Sequence, residues 1–253
     1  MTDPLQVNTR EGVCTLTLNR PDKRNALNEV LYARLTEALA RAADEERVRV
    51  VRLTGAGPDF TAGSDLAEFR ELARSGGELR GSALLEFLHA VVDFPKPLVA
   101  QVHGSAAGIG TTLMLHCDFS LAVETARFVT PFVALGVVPE FGSSRLLPAL
   151  VGHSRAAEIL LLGRALTARE AEALGLITRS CKPGSLDAES WTLCQRLSAL
   201  PAGALAASRR LLRSDEFRRD LHRVIDQEAE VFAQQMQTPE HREAVEAFFA
   251  RSD

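Results

Sequence analysis

The chain has 253 residues, 46% of them apolar and 25% charged, with a formal net charge of −4. This is the composition of a globular protein with a sizeable core, and the missing basic excess excludes sequence-independent nucleic-acid binding as a main role. The start, Met1-Thr2-Asp3-Pro4-Leu5, is not a signal peptide, and no apolar run reaches the about 18 residues of a membrane span, so a cytoplasmic protein without a membrane partner is expected.

Along the chain, Val13–Leu18 alternates apolar and polar residues, the pattern of a half-buried strand. Asn28 stands where it can cap a helix whose apolar residues Val30, Leu31, Leu35 and Leu39 recur at helical spacing. Residues 48–54 read as a strand, ended by Gly55-Ala56-Gly57-Pro58. Asp65 opens a helix to about residue 74, Ser75-Gly76-Gly77 breaks it, and residues 79–92 form the next helix, stopped by Pro95-Lys96-Pro97. Leu98–Val102 is a buried strand, residues 108–116 a buried helix, and Phe119–Val123 another strand. The alternation predicts an α/β architecture. From Ser154 onward the reading is helical, broken near Pro183-Gly184, Pro201 and Pro239, and the helices over residues 221–236 and Pro239–Ala250 are amphipathic.

Two glycine-bearing segments carry the chemistry. Phe60-Thr61-Ala62-Gly63-Ser64-Asp65-Leu66 and Val102-His103-Gly104-Ser105-Ala106-Ala107-Gly108-Ile109-Gly110-Thr111 each read as strand end, tight turn and helix start. Such turns leave backbone N–H groups without intrahelical acceptors. Two of them facing one another can hold a developing negative oxygen, which makes an oxyanion hole. The second segment lacks the third glycine of a dinucleotide fingerprint, and no G-K-[ST] is present.

In this pairing the sequence resembles the crotonase superfamily, the enoyl-CoA hydratase/isomerase family. Leu18-Asn19-Arg20-Pro21-Asp22-Lys23-Arg24-Asn25-Ala26-Leu27 is similar to the family's opening motif, and Val51-Arg52-Leu53-Thr54-Gly55 to its next strand. Thr130-Pro131 through Leu135-Gly136-Val137-Val138-Pro139-Glu140 resembles its catalytic turn, and residues 162–177 the helix and strand after it. The matches stand in order over roughly residues 5 to 250. The resemblance implies a spiral of ββα units over residues 1–195 and a C-terminal helical trimerisation region over residues 196–253. It further implies a homotrimer or dimer of trimers, an acyl-CoA thioester as substrate, and no cofactor beyond the coenzyme A that enters with it.

The resemblance places the oxyanion N–H groups on Ser64 and Ile109, a position normally glycine in the hydratases. It places Ala26, Ala62, Asp65, Leu66 and Gly108 along the CoA moiety and the turn that receives it, with Lys23 and Arg24 near its phosphates. Pro131, Phe132 and Leu135, with Ile109 and Thr112, are further candidates for binding the CoA thioester, and Ile109, Thr112 and Phe132 suggest an apolar pocket. The family's hydratases hold water between two glutamates, and the matching positions here are Thr112 and Phe132, neither able to transfer a proton. Glu140 instead matches the single base of the peroxisomal-type Δ3,Δ2-enoyl-CoA isomerase branch. Its neighbours Leu135, Val137, Val138 and Phe141 are apolar, which would raise its pKa into the range of a working base. The expected activity is therefore a shift of a double bond from C3 to C2 with Glu140 catalytic. The alternatives are an enoyl-CoA hydratase, a dienolate enzyme for an aromatic-pathway acyl-CoA, and an inactive acyl-CoA-binding or RNA-associated scaffold.

The remaining polar residues read as structural. Cys14, Cys117, Cys181 and Cys194 form no C-x-x-C pair, so reduced and mostly buried thiols are expected. His103 and Asp118 are expected to tie backbone, and Asp65 to cap a helix. His89, His153, His222 and His241 show no metal-ligand spacing, and no metal is expected.

Overall fold

A computed structural model of the chain describes residues 3–75 and 79–250, apart from the side chains of Arg74 and Ser75. Gly76 and Gly77 of the expected break lie outside the described residues. The chain opens as an antiparallel hairpin of β1 (Leu5–Arg10) and β2 (Val13–Leu18). α1 (Glu29–Asp44) follows, and Asn28 caps it by accepting from the Leu31 N–H at 3.0 Å. Its buried stripe is Leu31, Leu35, Ala38, Leu39 and Ala42; Val30 falls on the solvent side, because it precedes that stripe by one residue.

β3 (Val50–Gly55), α2 (Leu66–Ser75) and α3 (Ala83–Asp93) come next. α3 starts only at Ala83 because the Ser82 side chain caps it. Then follow β4 (Leu98–Val102), β5 (Ser105–Ala107), α4 (Ile109–Thr112), β6 (Phe119–Val123) and β7 (Arg127–Val129). The buried helix expected over residues 108–116 is α4 continued by a 3-10 turn, Leu113–Leu115. α5 (Ser143–Val151), α6 (His153–Leu160), β8 (Leu166–Thr167), α7 (Ala168–Ala173) and β9 (Arg179–Cys181) lead to the C-terminal helices. These are α8 (Leu186–Ser198), α9 (Ala202–Leu212), α10 (Asp215–Met236) and α11 (Pro239–Ala250). The region after Ser154 is thus not purely helical; β8 and β9 interrupt it, and both are too short to show a period-2 pattern. The expected division at residue 195/196 falls inside the last turn of α8.

The main sheet has the order β1-β2-β3-β4-β6-β9, parallel beyond the first hairpin. A parallel sheet needs both faces covered, which explains why all five residues of β4 are buried. Val13, Val50, Val99 and Leu121 pack on one face against Leu186, Cys194 and Leu197 of α8. Cys14, Val51, Ala100 and Ala122 point the other way into the larger core shared with α1 and α3. A second sheet, β5-β7-β8, sits beside the first. Single bridges, Leu27 with Ser64 and Thr61 with Ala106, tie the loop after β3 to both the first motif and β5. All four cysteines are unpaired. Among the described residues no helix is long and apolar enough to cross a membrane.

Candidate active site

The two glycine turns lie against one another. Thr61 donates its N–H to Ser105 O at 3.0 Å and accepts from Ala107 N at 3.1 Å. Gly63 and Gly110 permit the close approach. A Cβ on Gly63 would meet Ala107 O at 2.7 Å, and one on Gly110 would meet Thr61 Cγ2 at 2.4 Å. Gly63 also has a φ of 90°, which L side chains avoid. In the first turn Gly63 N donates to Thr61 Oγ1 at 3.0 Å and Asp65 N to Leu27 O at 2.8 Å, leaving the Ser64 N–H between them unengaged among the described residues. In the second, Gly108 N donates to Val129 O, while Thr111 N and Thr112 N return to Gly108 O. Ile109 is the first residue of α4, so its N–H has no intrahelical acceptor. The Ser64 side chain is held from behind: its Oγ lies 2.7 Å from the hydroxyl of buried Tyr32 on α1.

Glu140 sits on a third turn. Phe141 and Gly142 both have left-handed backbone, with φ of 62° and 69°, and α5 begins at Ser143. His116 donates from Nε2 to Phe141 O at 2.7 Å and stacks on the Phe141 ring at 3.8 Å. Burial pushes the His116 pKa down to about 3, so the ring is neutral. Glu228, from α10, accepts from Gly142 N at 2.6 Å and Ser144 N at 3.0 Å. The Glu140 carboxylate is asymmetric. Oε1 accepts from Thr112 Oγ1 at 2.6 Å, while Oε2 is buried with no partner. Burial raises the Glu140 pKa from 4.5 to about 8, opposed by the Thr112 hydrogen bond and reinforced by the charge of Glu228.

A family model for enoyl-CoA hydratase/isomerase matches residues 8–253. The chain belongs to the enoyl-CoA hydratase/isomerase family. It is 37% identical over 248 residues to enoyl-CoA delta isomerase 2 of Rattus norvegicus, covering 97% of this chain and 63% of that protein. It therefore spans less than two thirds of that relative's length. It is 35% identical over 250 residues to 2,3-dehydroadipyl-CoA hydratase of Escherichia coli, covering 98% and 96% of the two chains. Among solved structures, OdaA of Pseudomonas aeruginosa superposes with a TM-score of 0.93 at 40% identity, over 98% of this chain and 99% of that one. The architecture is accordingly the crotonase fold, an α/β spiral with a C-terminal helical region.

A cavity of about 340 Å³ joins the three turns of this family member. Of the residues the motifs single out, Arg24, Ala62, Ser64, Leu66, Gly108, Ile109, Pro131, Phe132, Leu135 and Glu140 line it. Four others lie outside the lining. Lys23 is exposed on a 3-10 turn. Ala26 gives its carbonyl to the Arg20 guanidinium. Asp65 pairs with Arg20 at 3.1 Å and accepts from Ala67 N in the first turn of α2, the capping role expected of it. Thr112 stands behind Glu140 and reaches it through its hydroxyl. Arg24 is paired with Asp59 at 2.8 Å yet keeps 62% of its side chain exposed.

The sequence reading left out Tyr32, Glu228 and the cavity's far wall. That wall includes Phe69, Leu84 and Leu88, with Ile225, Ala229 and Phe232 from α10 and His241 and Phe248 from α11. One signal was present. The buried stripe of α10 runs Leu221, Ile225, Glu228, Phe232, Met236, so Glu228 is a carboxylate at an apolar position. His103 donates to Gly57 O, and Asp118 accepts from Leu98 N, as expected. The fold also brings His89 and His222 together, with Nδ1 atoms 2.6 Å apart and their Nε2 atoms on Asp226 and Asp93. Among the described residues no group of three or more His, Cys, Asp or Glu could hold a metal ion.

Proposed function

We propose that this protein shifts a double bond from C3 to C2 of an enoyl-CoA thioester, with Glu140 as the single base. The observation that carries the reading is the carboxylate inventory of the cavity. Glu140 is the one carboxylate among its described lining residues, and it has one oxygen held and one free. In the proposed step Glu140 Oε2 takes a proton from C2. The C–H electrons move into the thioester, and the resulting dienolate oxygen accepts from the N–H groups of Ser64 and Ile109. The same carboxyl then returns the proton to C4 while C2 and C3 become the double bond. Nothing is added or lost, so one acid/base group suffices.

The apolar lining suits an acyl chain, and Arg24 with exposed Lys23 would meet the CoA phosphates. No dissociable cofactor is required. The hydratase reading draws on the Escherichia coli relative. It needs two carboxylates, at the positions where this chain has Thr112 and Phe132. An inactive acyl-CoA binder would have no use for a buried carboxylate in the cavity.

The test compares turnover of 3-enoyl-CoA with hydration of trans-2-enoyl-CoA. Isomerisation should be much the faster. Fast hydration without isomerisation would overturn the proposal. Glu140→Gln should cost at least the about 10²–10⁴-fold typical of a general base, and a variant within about tenfold of the parent would remove Glu140 from the chemistry.

A further inference from the structure

We propose that Glu228 is a positioning residue for the reaction: it fixes the turn that presents Glu140, and its charge strengthens Glu140 as a base. The inference rests on the reading of Glu140 as that base. Glu228 lies on α10, 86 residues beyond the turn it binds through Gly142 N. It is buried, and among the described residues it forms no salt bridge with Lys, Arg or His. A buried carboxylate without a cation needs hydrogen-bond donors. It has three: Gly142 N at 2.6 Å, Ser144 N at 3.0 Å and Ser144 Oγ at 2.5 Å. Burial raises the Glu228 pKa above the ordinary carboxylate value, and these three donors oppose that rise by favouring the acceptor-only carboxylate. Its placement at the start of α5 also suits the positive end of that helix.

These donors belong to Gly142 and Ser144, the second and fourth residues after Glu140. Gly142 itself supplies no side-chain cap to α5; Ser143 N returns to Glu140 O at 3.1 Å, and the side-chain cap comes from Glu228 of α10. The catalytic turn is therefore clamped at three points: Glu140 by Thr112, Phe141 by His116 and Gly142 by Glu228. A turn with two consecutive left-handed residues needs such support, since a non-glycine residue in that region is strained.

The electrostatic half follows from the same placement. A negative charge near a second carboxylate disfavours its ionised form and raises its proton affinity. The groups facing Glu140 are Thr112 from α4, the neutral phenol of Tyr32 from α1, and Glu228 from α10; neutral His116 stacks beside Phe141. Glu228, in the ionised form that its three donors favour, is thus the group among them that brings a charge to bear on Glu140.

The experiment records kcat and KM for 3-enoyl-CoA against pH in the parent, Glu228→Gln and Glu228→Asp. Glu228→Gln keeps the length and removes the charge. Its acid limb should move to lower pH by about half a unit or more, with a several-fold lower plateau kcat and a KM within about twofold. Glu228→Asp keeps the charge and draws the carboxylate back from its donors. Its acid limb should stay, and its kcat should fall about tenfold, the cost expected of a displaced base. An unmoved acid limb in Glu228→Gln overturns the proposal, because a purely structural cap would lower kcat without moving the limb. If Glu228→Gln does not fold, Glu228→Asp decides: kcat within about twofold of the parent overturns the proposal. Full activity in Glu140→Gln overturns this inference together with the reading beneath it, whereas a dead Glu140→Gln beside unaffected Glu228 variants overturns this inference alone.

Discussion

Glu140 links acidity to stability. Its pKa rises from 4.5 in the free residue to about 8 in the fold, with burial the main cause. Between those values the unfolded chain releases the proton and the folded one keeps it, so the group's contribution falls as pH climbs through that window. Glu140→Gln abolishes this term. Its melting temperature relative to the parent should increase from about pH 4.5 to about pH 8 and then level off, and a margin that ignores pH would show that Glu140 does not titrate as a buried acid. Ser64 separates side chain from backbone. Ser64→Ala should leave turnover largely intact, while Ser64→Pro deletes the N–H and should cost about a hundredfold or more in kcat. Equal damage from both, in folded protein, would assign the role to the hydroxyl that meets Tyr32. Glu140, Ser64 and Ile109 were legible in the sequence because each belongs to a local motif. Tyr32 and Glu228 were not, because their partners lie 32 and 84–86 residues away and no local pattern announces the pairing.

Among the elements, the glycine turns were legible as turns, but their mutual approach was not. Gly110 faces Thr61 Cγ2, and no spacing rule connects the two positions. Gly110→Ala should therefore lower both stability and kcat by forcing the turns apart. Adding Thr61→Ser removes the obstructing methyl but keeps the hydroxyl that holds Asn25 O and Gly63 N. The double variant should recover much of the loss, measured by thermal melts and turnover on the same preparations. No recovery would mean that something other than the Thr61 methyl rejects the added Cβ. The long elements β2, α1, β4, β6 and α11 were readable from periodicity and caps. β5, β7, β8 and β9 span two or three residues each, and their strand character comes from pairing rather than from composition.

At the scale of the molecule, Leu162, Leu211 and Leu212 are 80%, 85% and 84% exposed in the single chain. Large apolar side chains left in water invite a partner surface. With the resemblance to a trimeric family, this leads us to expect a trimer or a multiple of three, and a monodisperse monomer by light scattering would refute it. The α/β core was foreseeable from the strand–helix alternation, and its spiral winding from the family resemblance alone. The reach of the last two helices into the cavity was not, since amphipathicity reveals an apolar face but not what it covers. That reach brings the end of the chain to the cavity. The oxyanion turns, Thr112 and Glu140 all precede residue 143, whereas Ile225, Ala229, Phe232, His241 and Phe248 close the far end of the cavity from residues 215–250. We therefore expect the tail, together with Phe69, Leu84 and Leu88, to gauge the acyl group. Grafting it from a relative should carry over that relative's chain-length preference without altering the bond being rearranged, provided the graft restores a carboxylate where Glu228 stands.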